Sequence, residues 1–175
     1  MNELILKKIK NKINLNKINI FGIHGPQGIG KTTIKEYLRK ELLKEKIESA
    51  IFSIDDFYLE YQSMKSFLNY ANNKLYKFRG LAGTHDIDLL YIVLDDLINK
   101  RDTYMPKFDK LLEGSFGDRS GYENISNKPI VVILEGWMIG YIPLNNPTNE
   151  ISFFNDELKK CKKLIKNKII KQNEF

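Results

Sequence analysis

Gly25, Gly30, Lys31 and Thr32 fit the spacing G-x-x-x-x-G-K-[ST] inside GPQGIGKTT, residues 25–33. Glycines so placed let the chain curl until backbone N–H groups face inward on phosphate oxygens. A helix that starts at the loop adds its positive end. The expected cradle is Gly25, Pro26, Gln27, Gly28, Ile29, Gly30, Lys31, Thr32 and Thr33. In such a loop the lysine reaches the β- and γ-phosphates and the hydroxyl ligates Mg²⁺. The chemistry implied is the handling of ATP with Mg²⁺.

Two acidic features complete a transfer site. Asp55 and Asp56 follow FSI, and Glu135 follows VVIL. Phosphoryl transfer to an alcohol needs one carboxylate near the acceptor hydroxyl and others to organise Mg²⁺, directly or through water. Asp55 or Asp56 suits the first role and Glu135 the second. The competing reading of the aspartate pair is a turn or helix cap. NKRD, residues 99–102, matches the guanine-reading pattern N-K-x-D. It precedes the VVILE run rather than following it, and it ends a helical pattern. It therefore reads as a helix C-terminus with cations on the favourable end of the dipole.

These residues need elements to hold them. Residues 17–23, 49–54 and 129–135 are compact apolar runs that read as buried strands, the last as the central one. Residues 3–14, 32–46, 58–76 and 86–100 repeat apolar residues at helical spacing, with Thr84 or Asp86 as cap for the fourth. Residues 103–128 read as a long polar loop, and residues 155–172 as a basic helix. Strands alternating with helices predict an α/β fold with a mostly parallel sheet. In such a sheet the carboxyl ends of the strands share one edge, and ligands bind there. The loop from Gly25, the aspartate pair and Glu135 all fall at such ends.

Composition sets the outer limits. The 175 residues suffice for one domain, divided into an N-terminal helix (1–16), a nucleotide- and acceptor-binding core (17–145) and a basic tail (146–175). No apolar run approaches the length of a membrane span. The start of the chain lacks the apolar core of a secretory signal. One cysteine, Cys161, excludes an internal disulfide and fits a reducing cytoplasm. The net charge of +6 is spread along the chain, which argues against a nucleic-acid surface. No membrane partner is expected either.

Five segments go further than the phosphate loop. SIDDFYL (53–59), RGLAGTHD (79–86), PKFDK (106–110), GDRSG (117–121) and ILEGWMIG (133–140) occur in this order. Together they resemble the D-glycerate 3-kinase family, within the larger group of phosphoribulokinase, uridine kinase and pantothenate kinase. The resemblance covers roughly residues 18–145. It implies a P-loop kinase fold with strand order 2-3-1-4-5. Asp55 would be the catalytic base, Lys31 and Glu135 its catalytic partners, and Thr32 and Glu135 the metal side. Asp56, Tyr58, Arg79, His85, Lys107, Asp109, Lys110 and Arg119 would lie on the acceptor side. D-Glycerate carries a carboxylate, so a cation must meet it. Arg79, Lys107, Lys110 and Arg119 are the candidates, and His85 is a candidate hydrogen-bond donor.

Kinases of this group continue past the EGW strand with two more strands and an arginine-bearing lid. The resemblance therefore implies a C-terminally truncated kinase. Strand one would become a sheet edge, open to self-association or to a covering partner. Two further readings stay open: another acceptor, such as a nucleoside or pantothenate, and a non-catalytic or partner-dependent nucleotide-binding remnant.

Overall fold

The computed structural model describes residues 2–71, 76–126 and 128–140. Chain order is α1 (Asn2–Lys10), β1 (Asn19–His24), α2 (Lys31–Lys44), β2 (Ser49–Ser53), a 3-10 turn (Ile54–Phe57), α3 (Tyr61–Ala71), α4 (Ile87–Ile98), β3 (Thr103–Asp109), β4 (Asp118–Ile125) and β5 (Val131–Gly136). The expected tail helix over 155–172 lies outside the described residues.

The main sheet is parallel, in the order β1-β5-β2. Its centre is β5, as the uninterrupted apolar run VVIL requires: all six of its residues are buried. This is the 2-3-1 part of the expected order. Among the described residues β1 is an outer strand, and its Ile20 is 44% exposed.

Two cores sandwich the sheet. On one face Ala50, Phe52, Val132 and Leu134 pack with Leu90, Val93 and Leu97 of α4. On the other, Ile51, Val131 and Ile133 pack with Ile34, Leu38 and Leu42 of α2 and with Leu6 and Ile9 of α1. The helical spacing of those residues is what turns each helix toward the sheet. Among the described residues no helix is long and apolar enough to cross a membrane.

The expected polar loop over 103–128 is instead largely a β-hairpin. Strands β3 and β4 pair antiparallel, with a register shift between Lys107 and Phe108. Buried Thr103 and Met105 flank exposed Tyr104, so β3 carries the two-residue alternation of a strand. No residue of β4 is fully buried, so its sequence reads as loop. The hairpin turns through a left-handed stretch at Glu113, Gly114 and Ser115. Gly117 follows at φ 78°, and a Cβ there would sit 2.4 Å from Phe108.

The helix expected over 58–76 is described as Tyr61–Ala71; residues 72–75 are outside the described set. Its first amide, Tyr61 N–H, donates to Asp118 Oδ1 at 2.9 Å, which ties α3 to the hairpin. Asp86 caps α4 by accepting from Leu89 N at 3.0 Å. NKRD is the end of α4: Asn99 is its C-cap, and Arg101 pairs with Asp95 and Asp96.

Candidate active site

The strand register brings three distant segments to one edge. Glu135 lies beside Ile23 on one neighbour and Ser53 on the other. Two residues beyond Ile23 the phosphate loop begins at Gly25. Two residues beyond Ser53 stands Asp55. The crossover from β1 to β2 passes over β5, so this edge is where the sheet's connections diverge and leave a crevice.

The loop has the curled backbone its glycines predict. Gly28 and Gly30 adopt φ of 79° and 91°, left-handed values that disfavour side chains. Gly30 is the N-cap of α2, so the helix starts at Lys31 and its free N–H groups point toward the loop. Lys31 Nζ lies back over the loop, donating to Gly25 O at 2.8 Å and Pro26 O at 2.9 Å. Thr32 and Thr33 are exposed on the first turn of the helix.

The aspartate pair divides its labour. Asp56 accepts from Ser53 N at 3.0 Å, and Ser53 Oγ accepts from Asp55 N at 3.2 Å, forming a capping box on the 3-10 turn. The cap reading therefore holds for Asp56, and the structure does not bring it to the cleft. Asp55 projects into a cleft of about 330 Å³ lined by Gln27, Tyr58, Arg79, Lys110 and Phe116 among others. Its Oδ2 accepts from Lys110 Nζ at 2.7 Å. Burial, then the charge of Asp55 and a hydrogen bond to it, raise the Tyr58 hydroxyl far above its usual pKa. Tyr58 thus stays protonated and serves Asp55 as a donor.

Glu135 is only 5% exposed, and among the described residues no hydrogen bond or ion pair engages its side chain. A carboxylate at this strand end with no side-chain partner is available to a cation at the phosphate edge. Among the described residues no cluster of three metal-ligating side chains exists. Mg²⁺ takes one or two protein ligands and completes its shell with phosphates and water. Thr32 and Glu135 are the residues that would hold it.

The remaining acceptor-side candidates separate. Arg79 lines the cleft, but its guanidinium donates to Ser115 O at 2.7 Å, to Phe116 O, and to Lys110 O at 3.3 Å. It fastens the hairpin turn to the RGLAGTHD loop. The Arg119 side chain is 9% exposed and is held by Glu60 at 3.0 Å, Asp86 at 3.2 Å and Tyr58 O at 3.3 Å. It pins the hairpin to α3 and α4 and does not line the cleft. Lys107 pairs with Glu123 across the hairpin, and Asp109 accepts from Leu111 N at 2.8 Å in the turn. Neither reaches the cleft.

His85 is 4% exposed, with Nε2 unpaired, and its ring stacks on Tyr58 at 4.4 Å between centroids. Burial lowers its pKa to about 4, against a smaller opposing pull from Asp55. It is a neutral support beneath Tyr58.

Several cleft residues were not among the candidate site residues. Phe78, Gly80, Ser115 and Phe116 line the same space as Asp55. A neighbouring cleft of about 540 Å³ is walled by Pro26, Gln27, Leu81 and Trp137, among others. Trp137 Nε1 donates to Gly80 O at 3.0 Å, joining the end of β5 to the RGLAGTHD loop. The signal for Gly80 and Trp137 was their place inside two of the five segments; Phe78 and Phe116 gave none.

No family model matches the chain. A Schizosaccharomyces pombe protein named uncharacterized kinase mug58 is 40% identical over 134 residues, which is 73% of this chain and 48% of that protein. The chloroplastic D-glycerate 3-kinase of Arabidopsis thaliana is 35% identical over 134 residues, 71% of this chain and 29% of that one. Among solved structures, the D-glycerate 3-kinase from Cryptococcus neoformans superposes with a TM-score of 0.71 at 26% identity, over 91% of this chain and 65% of that chain. The chain thus spans about half the length of the first relative and under a third of the second. The parallel sheet with its phosphate loop at the edge shared with Asp55 and Glu135 is a P-loop kinase fold, and the chain is homologous over most of its length to proteins named as kinases, D-glycerate 3-kinase among them.

Proposed function

We propose that this chain is the catalytic core of an ATP-dependent kinase that phosphorylates D-glycerate to 3-phosphoglycerate. The observation that carries the reading is the shared cleft: Gln27 of the phosphate loop, Asp55, and the cations Arg79 and Lys110 all face one space. A triphosphate held by the loop and an anionic alcohol held by the cations would meet beside a carboxylate. The relatives named D-glycerate 3-kinase support the choice of acceptor.

In this reading the loop amides and the start of α2 bind the phosphates. Lys31 leaves the carbonyls of Gly25 and Pro26 and turns its ammonium to the β- and γ-phosphates. Asp55, oriented by Tyr58, takes the proton of the acceptor hydroxyl as that oxygen bonds to the γ-phosphorus and ADP departs. Bound Mg²⁺ supplies neutralisation of the developing phosphate charge. Thr32 and Glu135 would hold the metal. Phe78 and Phe116 wall the cleft and restrict water.

The test is product identity. The protein, Mg²⁺ and ATP are incubated separately with D-glycerate, uridine and pantothenate, and products are read by phosphorus NMR. The expected result is 3-phosphoglycerate alone. Transfer to uridine or pantothenate instead would move the acceptor to that class. ATP binding with no transfer to any acceptor would favour the non-catalytic reading.

A further inference from the structure

We propose that Lys110 is a substrate-operated catch on the base: it holds Asp55 until an acid group on the acceptor draws it away. This inference rests on the reading of Asp55 as base and of an anionic alcohol as acceptor. It assigns to Lys110 a positioning and specificity role beyond that of a simple anion contact.

The geometry makes the exchange possible. Lys110 Nζ sits 2.7 Å from Asp55 Oδ2, and both side chains line the cleft. While the ammonium occupies that oxygen it neutralises the charge that would attract a hydroxyl proton. The pair is half-open to solvent, with side chains 53% and 30% exposed, so it is weak enough to trade partners. The main chain around Lys110 is fixed: Arg79 donates to its carbonyl, and Leu111 N is tied to Asp109. Only the flexible four-carbon stem needs to move.

Arg79 is a poor rival for the role. Its guanidinium already serves the carbonyls of Ser115 and Phe116 in the hairpin turn. Among the described residues, Lys110 is the cleft cation whose charged head is engaged by a carboxylate alone. A carboxylate arriving on the acceptor replaces one anion by another at the same ammonium. Asp55 is then released beside the hydroxyl carried by the same small molecule. A neutral alcohol, or water, has no group with which to release the catch.

The consequence is a coupling between two residues that binding alone reads out, without turnover. D-Glycerate affinity is measured by titration calorimetry for the wild type, Asp55→Asn, Lys110→Met and the double variant, with glycerol as the neutral control. Asp55→Asn removes the rival anion, so D-glycerate should bind about tenfold tighter if Lys110 is engaged roughly nine-tenths of the time. In the Lys110→Met background the same Asp55→Asn change should have little effect, because no catch remains. Lys110→Arg should preserve the coupling, and glycerol binding should not respond to either change.

Equal tightening in both backgrounds would show plain charge repulsion and overturn the catch, as would no tightening at all. Absence of D-glycerate binding by all four proteins would overturn the acceptor reading itself, and the catch with it.

Discussion

On the β1 side of the cleft the phosphate loop offers backbone: Gly28 and Gly30 in left-handed conformations, and the first amides of α2. On the hairpin side the cleft wall is assembled by side chains through long-range contacts. Arg79 reaches residues 36 and 37 positions away, and Arg119 reaches Glu60 and Asp86 at separations of 59 and 33. A backbone grip depends on a short run of residues with fixed conformational demands. A side-chain grip depends on which distant segments the fold happens to join. The first is strict in sequence and general in ligand; the second is diffuse in sequence and, in the proposed function, would set the choice of acceptor.

The comparison breaks first at Lys31, the single side chain on which the backbone side depends. Lys31→Met should lower phosphoryl transfer about a thousandfold, the scale of losing a preorganised charge stabiliser. Steady-state kinetics on a folded variant would check it, and a loss confined to acceptor KM would contradict it.

His85 sharpens the other side. Its pKa is about 4 when folded against about 6.5 when unfolded. A depressed histidine favours the fold above the unfolded value, and this contribution is lost as pH falls from about 6.5 toward 4. The slope follows from the unfolded chain binding more protons across that window. The contribution is roughly 3 kcal/mol in order of magnitude. Urea unfolding across this range should show it for the wild type, and His85→Gln should flatten the curve. A wild-type curve already flat would mean that His85 is not buried beneath Tyr58.

The smallest effect is expected at Lys107. Its ion pair with Glu123 is exposed on the hairpin and away from the cleft. Such pairs contribute about 0–1 kcal/mol. Lys107→Met should leave acceptor KM within about twofold, consistent with that range. A large rise in KM would put Lys107 back among the acceptor contacts.

This division also explains what could be read from the sequence. The strands β1, β2 and β5 are continuous apolar runs, the loop is a local motif, and α4 is strongly periodic, so the sheet and the phosphate edge were visible. The hairpin was hidden because β4 has no buried residue, and its identity as a strand comes from pairing with β3. The choice between Asp55 and Asp56 was legible in principle, since Ser53 and Asp56 stand three apart as a capping box requires. The structural work of Arg119 was not, because both of its carboxylate partners lie on other elements. Charge and their place in the resembling segments put Lys107, Lys110, Arg79 and Arg119 together. Only the fold separates the two that line the cleft from the two that do not.

The central claim is that Asp55 acts as base on a hydroxyl placed beside a phosphate held by Lys31 and the loop. Its most direct test is single-turnover transfer from saturating Mg²⁺·ATP to D-glycerate by Asp55→Asn, with ATP affinity measured on the same protein. The account predicts a loss of about 10²- to 10⁴-fold in transfer, the usual worth of a positioned base, with ATP affinity unchanged. Transfer at the wild-type rate would contradict it.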